Sequence, residues 1–209
     1  TLQNSIKQII RKEGYFESMK ETLSEQQIVD EMIALLLFGH DTSAASLAWA
    51  VHHSLDHPEH IPKLSDDRNY LEAVIMESMR LNPVVVHLTR VATDEIRLGD
   101  QIIPKGMRVL PCAYLAHFNP SVFPKPEDFQ PDRFLDKNLY EDSYFPFGFG
   151  SRICIGKHLA LQQMRVLLPE LYNSVRLEKA NRKKVVSVRD NVLIVPSGDV
   201  SIHLKEQEK

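Results

Sequence analysis

Cys154 is the residue whose type and surroundings most favour chemistry in this sequence. It lies between Gly150 and Gly156, and a helical pattern of apolar residues that begins with Leu159 follows directly. Glycines allow a backbone to approach a flat ligand closely, and the start of a helix directs N–H groups and a positive dipole end at the sulfur. Such a setting favours a thiolate, which acts as a metal ligand or as a nucleophile.

The sequence around Cys154 also leaves simpler alternatives open. An isolated cysteine is among the most buried residue types and often only fills a core. A catalytic nucleophile needs a paired base, and His158 is predicted to lie on the following helix. The second cysteine, Cys112, lies 42 positions away with no Cys-x-x-Cys pattern. A zinc ribbon or a disulfide framework is therefore not indicated, and a reducing compartment is the simpler expectation.

One long helix is predicted upstream of the cysteine. Ser24 and Gln27 have the spacing of a capping box, and apolar residues then continue without proline as far as Val51. This pattern predicts a helix over about 24–55. Because its apolar residues lie on several faces, the helix is expected to run through the centre of the domain.

The other predicted elements are shorter, and they make the expected fold mainly α with small β segments. Proline ends helices and interrupts regular structure, whereas alternating or β-branched residues favour strands. The elements are a helix over 69–81, β segments over 84–91, 95–98 and 101–103 with a turn at Gly99-Asp100, an irregular proline-rich stretch over 118–147, a helix after Gly156 that Pro169 should kink or end, and a small terminal sheet.

Composition excludes several classes of protein. The chain has 209 residues, 43% of them hydrophobic, and a formal net charge of −3 at pH 7. A large nucleic-acid-binding surface would need a basic excess. The longest apolar run, 32–39, is far shorter than the roughly 20 residues that span a bilayer. We therefore expect no nucleic-acid partner, no membrane anchor in this chain and a cytoplasmic location.

The residues around the cysteine belong to a longer pattern that the whole string Phe147-Gly-Phe-Gly150-Ser-Arg152-Ile-Cys154-Ile-Gly156 follows. It fits Phe-x-x-Gly-x-Arg-x-Cys-x-Gly at every fixed position and resembles the haem-binding loop of the cytochrome P450 family, the haem-thiolate monooxygenases. Further stretches resemble that family in the correct order: Gly39-His40-Asp41-Thr42, Glu77-Ser-Met-Arg80 and Pro131-Asp-Arg133-Phe134. Ordered motifs, each on the predicted type of element, are far more specific than any one of them.

The resemblance implies a fold and a cofactor. It covers nearly the whole chain but only the C-terminal half of a family member, so it implies the C-terminal portion only of the cytochrome P450 fold, with residues 1–209 as a single partial, haem-binding domain. It also implies haem b, an iron protoporphyrin, with Cys154 as the axial metal ligand. Arg90 and Arg152 would neutralise the haem propionates, and Phe147 would shield the thiolate side from water. The full implied cofactor-binding set is Phe38, Gly39, Arg90, Phe147, Arg152, Cys154 and Gly156.

Other residues of the motifs would act away from the cysteine. The resemblance implies that Asp41 and Thr42 are catalytic residues on the distal side of the haem, where a hydroxyl holds a water and a carboxylate relays protons. Without the resemblance they are merely polar residues in a helix. Glu77, Arg80 and Arg133 would form an ion-paired network that locks the second helix to the loop before the cysteine. Taken alone, Glu and Arg at this spacing commonly form a surface pair worth a few tenths of a kcal/mol.

The function that the resemblance implies is a monooxygenase. It would insert one atom of O2 into a small hydrophobic organic substrate, with electrons from a ferredoxin or a reductase. A truncated or degenerate haem-binding protein without turnover is one alternative, because the N-terminal half of the family is not matched and Phe38 stands where a small residue is usual. A peroxide-using haem-thiolate enzyme is the other, and Asp41-Thr42 argues against it.

Further features stay open in the sequence. A group of histidines near the predicted end of the long helix consists of either metal ligands or solvated residues: His52, His53, His57 and His60. Three cations make the cysteine side basic, which fits either an acidic electron donor or a solvated helix face: Arg152, Lys157 and Arg165. By analogy with the family, 84–88 and Ser197-Gly198 line part of the substrate pocket.

Overall fold

The described part of the chain is mainly helical. The structure is a computed structural model and describes residues 2–12, 16–136, 140, 142–179, 185–190, 193–196 and 202–205. Its α-helices are α1 (Leu2–Lys12), α2 (Glu17–Lys20), α3 (Glu25–Asp56), α4 (Lys63–Asp66), α5 (Arg68–Leu81), α6 (Ala113–His117) and α7 (Lys157–Ser174). Short 3-10 turns cover Pro58–His60, Pro131–Phe134 and Gly150–Arg152.

The strands are short and pair two by two in antiparallel fashion. They are β1 (Arg90–Val91), β2 (Ile96–Leu98), β3 (Gln101–Ile103), β4 (Arg108–Val109), β5 (Arg176–Lys179), β6 (Ser187–Asp190), β7 (Leu193–Pro196) and β8 (Ile202–Lys205). The pairs are β1 with β4, β2 with β3, β5 with β8 and β6 with β7. The predicted turn at Gly99-Asp100 is confirmed, because Leu98 lies in register with Gln101. The prediction of a mainly α fold with small β segments is confirmed.

The β segment predicted over 84–91 is wrong for most of its length. Only Arg90–Val91 forms a strand there. The carbonyl of Val84, at the start of the segment, accepts a hydrogen bond from the Ile194 N–H at 2.8 Å. The Leu88 N–H donates to Pro111 O at 3.0 Å. Residues 87–91 face 108–112 in one antiparallel register, with an isolated bridge between His87 and Cys112. The ladder is interrupted between this bridge and β1 because Pro111, which faces Leu88, has no N–H to donate.

The chain divides into two compact units, Thr1–Ser43 and Ala44–Lys209. In the first unit, α1 packs against the first turns of α3 through a small apolar core that consists of Ile6, Ile10, Ile28 and Val29. The spacing of these residues places each pair on one face of its helix, so that the two apolar stripes meet.

Helix α3 confirms the predicted long helix in its length but not in its burial. The capping box forms, since the Ser24 N–H donates to Gln27 Oε1 at 2.9 Å and the Gln27 N–H donates to Ser24 Oγ at 3.3 Å. The residues 35–38 are exposed, Phe38 to 70%. The expectation that the helix runs through the centre of the domain is wrong there, because a helix that is apolar on several faces needs neighbours on each, and the cluster with α1 extends only to Ile33.

In the second unit, α5 is the central element. Of its 14 residues, the structure buries 10. The helix is N-capped by Asp67, whose Oδ1 accepts hydrogen bonds from the N–H groups of Asn69 and Tyr70. It packs with the last turns of α3 and with α7 in one apolar cluster that includes Ala50, Val51, Val74, Ile75, Leu161, Met164 and Leu168. This cluster holds α7, and with it the cysteine loop, against α5.

Helix α7 continues past Pro169, so this proline does not end the helix, which is one of its two predicted effects. The helix runs to Ser174 with Pro169 inside it. Proline removes one backbone hydrogen bond and costs about 3 kcal/mol in a helix interior. Packing on both sides of the proline offsets that cost, because Leu168 is fully buried and the Tyr172 hydroxyl donates to Val51 O at 3.2 Å.

The described residues of the stretch 118–147 are irregular as predicted, apart from the 3-10 turn at its centre, and residues 137–139 and 141 lie outside the described part. It is anchored by an aromatic cluster against Ala73 of α5, formed by Phe123, Phe134 and Tyr140. Among the helices of the described residues, none has the length and apolar character that crossing a membrane requires.

Candidate functional site

Cys154 lies in a closed loop before α7. Its N–H donates to Phe147 O at 2.9 Å, which closes the loop, and Gly150–Arg152 forms a 3-10 turn inside it. Gly156 is the N-cap residue of α7. The thiol is free and the residue is exposed. The loop therefore presents a sulfur atom at the N-terminal end of a helix of 18 residues.

Glycines make this path possible. Gly148 and Gly150 have φ angles of 73° and 69°, in the left-handed region that L-residues rarely adopt. A Cβ on Gly148 would also lie 2.8 Å from Leu88 Cδ1, which is too close for an unaltered side chain. The motif leaves the position of Gly148 open, so the sequence does not predict the part that this glycine plays in the loop. A Cβ on Gly156 would lie 3.9 Å from Cys154 Sγ, so its absence leaves room beside the sulfur.

Apolar side chains next to the cysteine are exposed, and Ile155 is 88% exposed. The others of this group are Phe149, Ile153 and Leu159. Phe147, in contrast, is partly buried and packs against the main core of the second unit. Covering apolar surface contributes about 25 cal/mol per Å². A flat apolar ligand bound over the thiol would cover this apolar surface, and its binding would gain that free energy.

Arg90 on β1 carries an unpaired buried donor. Its Nη1 donates to Thr89 O at 3.0 Å, but its Nη2 is buried and has no hydrogen-bond partner among the residues that the structure describes. A buried donor without a partner costs about 1–3 kcal/mol, and more when it is charged. An anionic group of a ligand would satisfy it. Arg152, the second cation of the motif-based prediction, is exposed.

Glu77, Arg80 and Arg133 meet in one buried network. Arg80 Nε lies 2.7 Å from Glu77 Oε2, and Arg133 Nε lies 3.1 Å from Glu77 Oε1. The side chains of Glu77 and Arg80 have no exposed surface, and that of Arg133 is 5% exposed. The Gln130 N–H also donates to Glu77 Oε1 at 2.8 Å. A surface pair is excluded, because the network lies inside the fold.

The guanidinium of Arg80 also ties the irregular stretch to α5. Its Nη1 donates to the carbonyls of His117 and Pro126 at 2.9 and 2.8 Å, and its Nη2 donates to the carbonyl of Asp128 at 3.2 Å. Arginine offers five donors in a planar fork, and here the fork serves a carboxylate and three carbonyls together. A lysine could not do so.

His117 is a residue that sequence analysis missed. It is fully buried, its Nδ1 donates to Arg80 O at 3.3 Å, and its Nε2 accepts from the Phe145 N–H at 3.1 Å. Because Phe147 follows two residues later and accepts from Cys154, this histidine links α5 to the cysteine loop. Burial lowers the pKa of His117 to about 4, which keeps it neutral. No motif around it identifies this role, since its partners are backbone atoms.

The predicted distal residues lie together on α3, in the first unit. The Thr42 hydroxyl donates to Phe38 O, one turn earlier, and Asp41 Oδ1 lies 2.8 Å from His40 Nδ1. Asp41 is exposed, and a Cβ on Gly39 would meet no described atom within 4 Å apart from its chain neighbours and the backbone of its own helix. Cys154 belongs to the second unit. The structure thus groups Phe38, Asp41 and Thr42 with one another on one helix.

A cavity of about 290 Å³ opens beside the C-terminal end of α5. Its lining includes Val86, from the segment predicted to face a substrate, together with Pro83 and with Ile194 of β7. The turn at Ser197-Gly198, predicted to share that role, lies outside the described residues. The lining is mostly apolar, which suits an apolar guest.

The predicted basic surface on the cysteine side is smaller than its three cations indicate. Arg165 donates through Nε and Nη2 to both carboxylate oxygens of Glu72, at 2.7 and 2.6 Å. This pairing raises the pKa of Arg165 and neutralises its charge locally. Arg152 is exposed and Lys157 is half-buried.

Comparison with known proteins decides the family. The family model described as cytochrome P450 matches residues 3–202, nearly the whole chain. The chain belongs to the cytochrome P450 family. Its similarity to cytochrome P450 4c21 of Blattella germanica is 33% identity over 184 residues, covering 78% of this chain and 37% of the relative. The mitochondrial sterol 26-hydroxylase of Mus musculus is 30% identical over 227 residues, covering 95% of this chain and 43% of the relative.

Solved structures confirm the cytochrome P450 fold. A crystal structure of a cytochrome P450 (CYP102L1) matches with a TM-score of 0.81 at 24% identity, over 88% of this chain and 46% of that one. At this level of identity the likeness shows the fold alone. The chain spans about two fifths of the length of the curated relatives it matches. The resemblance to the family is therefore confirmed, and the activity of a whole family member is a separate question.

Proposed function

We propose that residues 1–209 form the haem-binding part of a cytochrome P450 monooxygenase, corresponding to its C-terminal half. The free, exposed thiol of Cys154 at the start of α7 is the observation that carries this proposal. The exposed apolar residues beside it and the unpaired Nη2 of Arg90 fit an apolar ring with anionic substituents, which describes haem b. Thiolate, apolar surface and guanidinium are the donor set that this cofactor needs.

When bound, haem b supplies the activation of O2 and the transfer of one oxygen atom to a small hydrophobic organic substrate, with electrons from a ferredoxin or a reductase. The Cys154 thiolate would bind the metal, and the positive end of α7 would stabilise its negative charge. Phe147, held against the core, would exclude water from the sulfur. Arg90 and Arg152 would bind the propionates through charge-assisted hydrogen bonds. Gly156 would leave space beside the sulfur.

Asp41 and Thr42 are proposed as the catalytic residues on α3. The Thr42 hydroxyl donates to Phe38 O, and a hydroxyl oxygen can also accept, so Thr42 would hold a water at this point of the helix. The exposed carboxylate of Asp41 would pass protons to that water. Phe38 and Gly39, which precede them on α3, are proposed to contact the haem.

Turnover separates this proposal from its alternatives. A protein that binds haem without turnover would form no product with NAD(P)H and an electron-transfer partner. A peroxide-using enzyme would form product from hydrogen peroxide without electrons from a reductase. Product that depends on both O2 and NAD(P)H-derived electrons would support the monooxygenase.

Replacing Cys154 by Ser (C154S) is expected to abolish the Soret band of a thiolate-ligated haem in the reduced carbon monoxide difference spectrum of the haem-loaded protein. A serine hydroxyl is a much weaker metal ligand than a thiolate and donates less electron density to iron. The Cys112→Ser variant is the matched control and should keep the band, because Cys112 lies outside the loop. An unchanged band in C154S would overturn the proposed ligand.

Replacing Arg90 by Met is expected to weaken haem binding by about tenfold to hundredfold, the range of one charge-assisted hydrogen bond. The stability of the haem-free protein should not fall, because the substitution also removes an unpaired buried donor. Arg97→Met, on the exposed strand β2, is the control and should bind haem like the parent. Haem titration followed by absorbance measures the affinities, and equal affinities for all three proteins would exclude Arg90 from the cofactor site.

A further inference from the structure

The histidines that follow the middle of α3 fall into two groups in the structure. His53 Nε2 is hydrogen-bonded to Asn82 Oδ1 at 2.7 Å, and His52 Nε2 lies 3.2 Å from Asp56 Oδ2. These two ring nitrogens therefore already interact with other side chains of the protein. His57 and His60 are arranged differently, because both rings approach the carboxylate of the residue between them in the chain, Glu59.

The distances within this second group are those of a nearly formed metal site. His57 Nδ1 lies 3.6 Å from Glu59 Oε1, and His60 Nε2 lies 3.8 Å from the same oxygen. One ligand atom from each of the three residues lies within 4.8 Å of the others. Zinc bonds to nitrogen and oxygen at about 2.0–2.1 Å, which puts ligands of a tetrahedron about 3.4 Å apart. Small side-chain adjustments would therefore bring all three ligand atoms within bonding distance of one zinc ion.

We propose that His57, Glu59 and His60 form a binding site for a divalent transition-metal ion of the zinc class, with water in the remaining position. Two imidazoles and one carboxylate suit zinc, whereas calcium and magnesium prefer ligand sets made of oxygen alone. The site is separate from the cysteine loop and does not depend on the proposed haem.

The backbone brings the two histidines to the same side without any metal. Pro58–His60 is a 3-10 turn with His57 as its N-cap, and the His60 N–H donates to His57 O at 3.1 Å. In a 3-10 turn, residues three apart eclipse one another. His57 and His60 have this spacing, so the turn itself sets their imidazoles side by side.

Neighbouring aromatic residues fix the orientation of both rings. Phe129 stacks on the His57 ring at 5.1 Å between centroids and meets the His60 ring edge-on at 5.7 Å. The Tyr70 hydroxyl is hydrogen-bonded to His60 Nδ1 at 2.7 Å. When Nδ1 donates in this bond, Nε2 carries the free lone pair that a metal requires, and such partners are typical of metal-binding histidines.

The charges and the accessibility of the group also suit a cation. The side chain of Glu59 is 64% exposed and that of His60 only 14%, so the site is supported from within and open to solvent on one side. The negative charge of Asp132 and the positive charge of Lys63 both act on His60 and offset each other. With Glu59 the local balance is one net negative charge, which attracts a divalent ion.

Titration of zinc chloride into the purified full chain, stripped of metal with a chelator, tests the site. We expect saturable binding of one zinc per chain by isothermal titration calorimetry. X-ray absorption should show nitrogen and oxygen at about 2.0–2.1 Å and no sulfur at about 2.3 Å. A sulfur shell would place the ion on a cysteine and would overturn the proposal, as would the lack of saturable binding.

Variants assign the ligands. Glu59→Gln, His57→Gln and His60→Gln should each weaken zinc binding by at least about tenfold, and Tyr70→Phe by about tenfold to hundredfold, the range typical of such supporting partners. His87→Gln, an exposed histidine elsewhere in the second unit, should bind zinc like the parent. Glu59 is exposed, so its variant should fold normally, which circular dichroism verifies. Parental affinity in both His57→Gln and His60→Gln would refute the assignment.

Discussion

Replacing Glu77 by Gln is expected to lower the free energy of unfolding by about 3–5 kcal/mol. The carboxylate of Glu77 is the common partner of two buried guanidinium groups, those of Arg80 and Arg133. Glutamine fits the space but removes the charge, so both cations stay buried without compensation. Against a total stability of about 5–15 kcal/mol for an ordinary domain, a loss of this size threatens the fold itself.

Urea unfolding measures this effect, followed by far-UV circular dichroism and by the fluorescence of Trp49, the single tryptophan of the chain. Glu25→Gln is the control, because Glu25 forms an exposed pair with Arg11 and should leave the unfolding midpoint unchanged. A Glu77→Gln protein as stable as the Glu25→Gln protein would mean that the buried network does not hold the fold together.

A second variant separates charge from geometry in the same network. Arg80→Lys keeps the positive charge but cannot serve Glu77 and the three carbonyls at once. We expect a loss of stability comparable to that of Glu77→Gln. If Arg80→Lys were nearly neutral, charge alone would account for the network, and the hydrogen bonds to the irregular stretch would be dispensable.

The sequence predicts the pairing of Glu77 with Arg80 but not the cost of breaking it. The two residues are three apart on a predicted helix, which is enough to expect an ion pair. Their burial depends on carbonyls of His117, Pro126 and Asp128, which lie 37 to 48 positions further along the chain. No local pattern contains that information, so the same two residues are compatible with a weak surface pair.

The wrong predictions have a related physical origin. Pro169 carries a local penalty of about 3 kcal/mol, and a prediction from local propensity ends the helix there. The packing of Leu168 and Tyr172 within the second unit offsets it. For residues 35–38 the error is reversed: an apolar pattern predicts burial, yet the apolar cluster with α1 extends along α3 only to Ile33. Tertiary contacts override the local rule in both directions.

The cysteine loop is predicted more completely because its requirements are local. The motif fixes a glycine at position 150, where the backbone has a positive φ angle, although it leaves position 148 open and Gly148 has a positive φ angle too. The motif does not show which residues outside the loop support it. His117 supports the loop through two backbone hydrogen bonds, which leave no trace in the spacing of side-chain types.

Acidification from pH 7 to pH 5 is expected to destabilise the protein through two buried neutral histidines. Burial lowers the pKa of His53 and of His117 from about 6.5 to about 4. The unfolded chain therefore binds more protons than the folded protein between these values, so stability falls as the pH falls below about 6.5. Each histidine should account for about 2 kcal/mol at pH 5 and about 3 kcal/mol at pH 4.

The hydrogen bonds of His117 explain why protonation harms the fold. Its Nε2 accepts from the Phe145 N–H, and a protonated imidazole would set two donors against each other at a distance of 3.1 Å. Because Phe145 leads into the cysteine loop, the same protonation is expected to loosen that loop. At neutral pH this contribution to stability is present in full.

Urea unfolding at a series of pH values between 7 and 5 tests this linkage above the range in which most carboxylates titrate. His117→Gln and His53→Gln should each reduce the loss seen in the parent by about 2 kcal/mol at pH 5, even though either substitution lowers stability at pH 7. Burial also lowers the pKa of His52 and of His60, so some of the loss should persist in both variants. His40→Gln, whose side chain is 82% exposed, should leave the pH dependence intact. The slope of stability against pH is the decisive quantity, because a merely structural role of His117 would shift the whole curve and leave its slope unchanged.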